Sequence, residues 1–92
     1  MTPAKDELVN PRKTLRSIEA GSLDVRFTDL CGLATAFGFK LARVSGSHHI
    51  FSHSGVPELI NLQEVGGRAK PYQVRQLRGL VARYSLTMED RT

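Results

Sequence analysis

Between Phe39 and Gln63 two short turn sequences, Ser45-Gly46-Ser47 and Ser54-Gly55-Val56-Pro57, divide the chain into three six-residue segments with strand character. The first, Phe39-Lys40-Leu41-Ala42-Arg43-Val44, alternates large apolar with basic residues; the second is His48-His49-Ile50-Phe51-Ser52-His53; the third is Glu58-Leu59-Ile60-Asn61-Leu62-Gln63. Turns this short join antiparallel neighbours, so the middle of the chain is expected to be a three-stranded meander. The central strand of that meander carries all three histidines of the protein, His48, His49 and His53. Imidazole titrates near neutral pH and can move protons or bind metals, which makes this strand the first place to look for chemistry.

The flanks read as helices. Asn10 is expected to cap a short helix that begins at Pro11, buries Leu15 and Ile18, and stops at Gly21. After an extended link from Asp24 to Phe27, Thr28 is expected to cap a second helix. It carries Leu30, Leu33, Ala34 and Phe37 at helical spacing and closes at Gly38. Val65-Gly66-Gly67-Arg68-Ala69-Lys70 reads as a glycine-rich loop. Pro71 then opens a last helix with Val74, Leu77, Val81 and Tyr84 in one stripe and Arg75, Arg78 and Arg83 largely off it. The expected fold class is α+β, with helices on one face of the three-stranded sheet and the other face left available. The domain division is 1–23 as an N-terminal extension with a short helix, 24–86 as the body, and 87–92 as a loose tail. Met1 to Glu7 reads as a frayed end.

Ninety-two residues suit one modest core. No apolar run approaches the roughly 18 residues of a membrane span, and the first residues lack the apolar segment of a secretory signal. The single Cys31 cannot form an intramolecular disulfide, so the expectation is a cytoplasmic protein without a membrane partner. Cys31 lies among Leu30, Leu33 and Ala34 and reads as a small buried hydrophobe. The net charge of +4 is uneven: from Phe39 to Leu86 there are seven bases and two acids. That balance favours a polyanion or an acidic protein as partner.

Strand alternation puts His49, Phe51 and His53 on one face and His48, Ile50 and Ser52 on the other. Phe51 and Ile50 compete for the core, so alternation alone leaves both faces open as the buried one. A metal site would draw on His49 and His53, but no cysteine is near and carboxylates are sparse; no metal is expected. Ser47 lacks the glycine-flanked elbow of a serine nucleophile. The loop from Gly66 to Pro71 joins flexible backbone, Arg68, Lys70 and a helix start, a combination that attracts phosphate. Taken with the histidines, this suits RNA backbone binding and proton transfer at a ribose 2′-hydroxyl.

The runs Gly38 to Phe51, Pro57 to Gln63 and Ala69 to Leu77 together resemble the HicA family of mRNA interferase toxins, over roughly residues 27 to 86. The resemblance implies a fold similar to a double-stranded-RNA-binding domain, ribosome-independent cleavage of mRNA without metal or small-molecule cofactor, and neutralisation by a HicB-like antitoxin. The family places its catalytic histidine on the strand after the glycine turn and varies the first of the two histidine positions, so the role carries over to His49. Ser47, His48 and His53 are auxiliary candidates, and the general acid is left open among His53, His48, Lys70 and a water. Lys40, Arg43, Arg68, Lys70, Arg75 and Arg78 are the expected RNA contacts. The chain departs from the family before Asp24, where it is longer, and in its Gly66 to Pro71 entry to the last helix. The alternative reading is a non-catalytic module that grips RNA or an acidic protein through the same basic surface.

Overall fold

The computed structural model describes residues 10–88. The tail expected at Met1–Glu7 lies outside the described residues, as do residues 89–92 of the tail expected at 87–92, whereas Met88 packs against the core. The elements are α1 (Pro11–Glu19), α2 (Phe27–Ala36), β1 (Lys40–Ser45), β2 (His48–His53), β3 (Val56–Val65), β4 (Arg68–Ala69) and α3 (Pro71–Arg83). They form an α+β fold: one antiparallel sheet in the order β1-β2-β3-β4 with three helices.

The expected meander is present, with a fourth strand added. Gly66 and Gly67 both hold positive φ, 59° and 80°, and link β3 to β4 as a two-residue turn of the kind that matches strand twist. The segment read as a glycine-rich loop is therefore a hairpin. Its second arm is short because Pro71, which has no amide hydrogen, turns the chain into α3. The ladder nevertheless continues by one bond: the Gln63 amide donates to the Gln73 side-chain oxygen at 2.9 Å. Gln73 is 1 % exposed and stands in for the missing strand residue.

Helix boundaries follow local chemistry. Asn10 accepts from the Lys13 amide at 3.2 Å and caps α1 as expected. Thr28 does not cap α2. Phe27 is already the first helical residue, and Arg26 holds the cap position without a side-chain bond. The reason is tertiary: the Phe27 amide donates to Gly67 O at 3.0 Å and Val25 O accepts from the Ala69 amide at 2.9 Å. The chain before α2 is thus pinned to the β3–β4 hairpin, and the extended link is one residue shorter than its sequence implies. Gly38, at φ 94°, closes α2 as expected.

Phe51, Ile60 and Leu62 are buried on one face of the sheet, beneath α2 and α3, together with Leu30, Leu33, Val74 and Leu77. Ile18 of α1 is 1 % exposed within the same cluster, so α1 shares the core of residues 24–86. β1 is the outer strand, and all six of its residues are exposed. Burial of Phe51 decides the question that alternation leaves open: His49 and His53 face the helices, and His48 faces away.

At the far end, the Tyr84 hydroxyl donates to Glu58 at 2.7 Å and Arg83 lies 3.5 Å from the same carboxylate. The hydroxyl, then a backbone hydrogen bond and last Arg83, hold the Glu58 carboxyl below the ordinary value of 4.5, while the carboxylate raises the phenol. A depressed folded-state value means stability that is present above the unfolded value and lost as pH falls through the folded one. Tyr84→Phe is expected to flatten the acid limb of stability below pH 4.5, as measured by denaturant unfolding at stepped pH. Parallel acid limbs for the two proteins would contradict it.

Candidate active-site histidines

β2 begins directly after the Gly46-Ser47 turn, in which Gly46 takes φ 58°. Its first two residues are the adjacent imidazoles, and the strand sends them to opposite faces.

His49 points toward the helices. Its neighbours across the ladder are Val44 and Leu62, and its ring meets the ring of Phe27 edge-on, with centroids 4.9 Å apart. The residue is half-buried, and its Nδ1 is buried with no hydrogen-bond partner. A buried polar atom left unsatisfied costs on the order of 1–3 kcal/mol, and such a group in a native fold calls for an explanation, a catalytic role or a bound water among them. Beside it the helix-side surface of the outer strand stays open, since Leu41 and Val44 are about half exposed. The imidazole therefore sits at the lip of the core, where the covered part of the sheet ends.

His48 is half-buried on the helix-free face, and its Nδ1 lies 3.1 Å from the Asn61 side-chain oxygen. In the neutral ring that contact assigns the proton to Nδ1 and leaves Nε2 as the acceptor. Asn61 is a residue that sequence reasoning passed over. Its signal is register: it stands one row from His48 on the neighbouring strand.

His53 is held differently. Its Nδ1 accepts from the Gly55 amide at 2.8 Å, its Nε2 lies 3.1 Å from Phe37 O, and its ring packs edge-on against Phe39. Both nitrogens are engaged by backbone, so His53 is a structural residue that ties the β2–β3 turn to the end of α2. Of the auxiliary candidates it is the one whose two ring nitrogens are both held by backbone. His53→Ala would remove the partner of the part-buried Phe37 carbonyl and the ring contact with Phe39, and is expected to cost about 1–3 kcal/mol, read by urea denaturation. An unchanged midpoint would remove this structural role. His49 and His53 share a face but lie at opposite ends of α2, separated by about 13 Å of strand. Among the described residues no group of three or more His, Cys, Asp or Glu is placed to hold a metal ion.

Ser47 is exposed in the turn, where its hydroxyl accepts from the Gln63 side chain at 3.4 Å. Gln63 and the buried Gln73 thereby connect the β1–β2 turn to the start of α3. The Cys31 thiol is pushed up to about 11, by burial and then by Glu64, and stays protonated at neutral pH.

The expected RNA contacts do not form one patch. Lys40 and Arg43 are exposed on the helix-free face of β1, whereas Arg75 and Arg78 are exposed on α3 in the helix layer. Arg68 lies on β4 and pairs with Asp24 at 3.5 Å. Lys70 is the half-buried cap residue of α3. Arg26, Asp29 and Arg68 border a polar cleft of about 330 Å³ between α1 and the start of α2, at the end where Phe27 meets His49. No described helix is long and apolar enough to cross a membrane. Comparison with protein-family models, with curated proteins and with solved structures finds no match for this chain.

Proposed function

We propose that the protein is an endoribonuclease, an mRNA interferase of the HicA type, with a fold similar to a double-stranded-RNA-binding domain and a HicB-like antitoxin as its cytoplasmic partner. The observation that carries this reading is the half-buried His49 ring, with a buried nitrogen that no described protein group satisfies. A histidine kept only for packing is normally satisfied, as His53 is.

In this reading neutral His49 takes the proton of a ribose 2′-hydroxyl. The freed oxygen attacks the adjacent phosphorus, a 2′,3′-cyclic phosphate forms, and the 5′-oxygen leaves with a proton from an acid or a water. Cations hold the phosphodiester and offset its developing charge. Antitoxin binding rests on the family resemblance and is tested by co-purification with the product of a neighbouring gene. The central experiment is induced expression of wild type beside His49→Ala, with growth and cellular mRNA followed. Arrest with mRNA loss in wild type alone supports the proposal; equal growth of both sinks it.

A non-catalytic RNA-binding module is the second reading. It is favoured by His49 Nδ1, which no described residue hydrogen-bonds, so that only the Phe27 ring contact sets the imidazole, and it predicts association with RNA that survives incubation intact.

A further inference from the structure

The helix-free face of the sheet has a composition that proton transfer at His49 does not use. A bulge between Leu41 and Arg43 inserts Ala42 as an unpaired residue, and the ladder resumes with Lys40 opposite Ser52 and Arg43 opposite Ile50. Strict alternation would send Lys40 and Arg43 to opposite faces; the bulge brings both to the helix-free one. There they join Ser45, His48, Ile50, Asn61 and Gln63.

Charge on this face is segregated. Glu58 and Glu64 are the only acids on the four strands, and both belong to the other side. Glu58 bonds Tyr84 of α3, and Glu64 pairs with the buried Ala69 and acts on Cys31 of α2. Arg68, at the opposite edge, is paired with Asp24. Lys40 and Arg43 therefore present positive charge with no strand carboxylate to offset it. Between them and the centre of the sheet lie a half-buried Ile50 and an exposed Leu59, a low apolar floor, and the His48 ring fixed by Asn61.

We propose that a single RNA strand binds across this helix-free face, with its phosphates on Lys40, Arg43 and the Asn61-oriented ring of His48. The occupant rests on the reading of the protein as a ribonuclease and on charge complementarity. A polyanion with regularly spaced charges and apolar base faces matches cations that flank an apolar floor. The track leads to the β1–β2 turn, and a strand that rounds the turn passes from His48 to its chain neighbour His49 on the other face. The face thus supplies the grip that the scattered cations of the helix layer do not.

The test uses the full chain and a fluorescein-labelled single-stranded 2′-O-methyl RNA, whose blocked 2′-oxygen prevents cleavage, so binding is read whether or not the protein is a nuclease. Anisotropy over a salt series is expected to show Lys40→Ala with Arg43→Ala weakening binding about tenfold, with the slope of log affinity against log salt reduced by about 1.4, roughly 0.7 per lost phosphate contact. Arg16→Glu on α1, which alters charge by the same amount away from the sheet, is expected to leave the slope unchanged. His48→Ala and Asn61→Ala should each weaken binding a few-fold. Wild-type affinity and slope in the Lys40 and Arg43 double variant overturn the proposal. So does a loss confined to Arg75→Ala with Arg78→Ala, and so does a face that binds a polyglutamate peptide but not the RNA, which would assign it to an acidic protein. The ribonuclease reading fails separately, if unmodified RNA stays intact while the 2′-O-methyl strand is bound through Lys40 and Arg43.

Discussion

His49→Ala is expected to lower the rate of RNA cleavage by about 10²- to 10⁴-fold, the range that a positioned general base supplies. The measurement is single-turnover decay of a labelled RNA in the presence of chelator, with purified wild type and variant compared at matched concentration. The variant is expected to fold normally. His49 sits at the rim of the core, and its removal takes away an unsatisfied buried nitrogen as well as a ring contact with Phe27. Loss of activity with unchanged stability would mark a functional histidine. Loss of stability with unchanged activity would mark a packing one and return the choice to His48, whose ring is already oriented by Asn61. His53→Ala is the internal contrast, because its engaged nitrogens predict a stability loss at this position.

The second large effect concerns the segment before Asp24. Ile18 is almost wholly buried against the cluster that contains Leu33, Phe37 and Leu77. Ile18→Ala is expected to destabilise the protein by about 2–5 kcal/mol, through lost transfer energy plus the cavity left behind. For a domain of this size that is a large part of the total stability. The check is equilibrium denaturation by urea, with the variant's midpoint falling and its slope preserved. A change within a few tenths of a kcal/mol would mean that α1 is an appendage and that residues 24–86 fold without it. The apolar groove of about 220 Å³ between α1 and α3, lined by Leu15, Ile18, Leu77 and Val81, shows that this packing is incomplete on one side. The cost therefore belongs in the lower part of the range if the groove can collapse.

Much of the architecture was legible in the chain because it is locally encoded. Asn10 and Pro11 start α1, Gly38 ends α2, Pro71 starts α3, and the Gly46 and Gly55 turns fix the antiparallel order. The missed strand was also locally encoded. Gly66-Gly67 is a two-residue hairpin signal, obscured because β4 is only two residues long before Pro71 diverts it. The role of Gln73 was not legible, since a buried glutamine that completes a ladder has no sequence pattern apart from its partner.

The sequence by itself determined the α+β class, the central strand with its three histidines, and the basic character of the half that contains them. Only the tertiary structure decided which way each histidine faces and what its ring touches. Burial of Phe51 under α2 turned His49 and His53 toward the helices, and the backbone atoms of Phe37 and Gly55 then occupied His53 while leaving His49 with an unpaired nitrogen. A single bulge at Ala42 put Lys40 and Arg43 on one face. The physical reason is that alternation gives only the relative orientation of neighbours on a strand. Which side is covered, and where the register slips, depends on contacts between segments far apart in the chain.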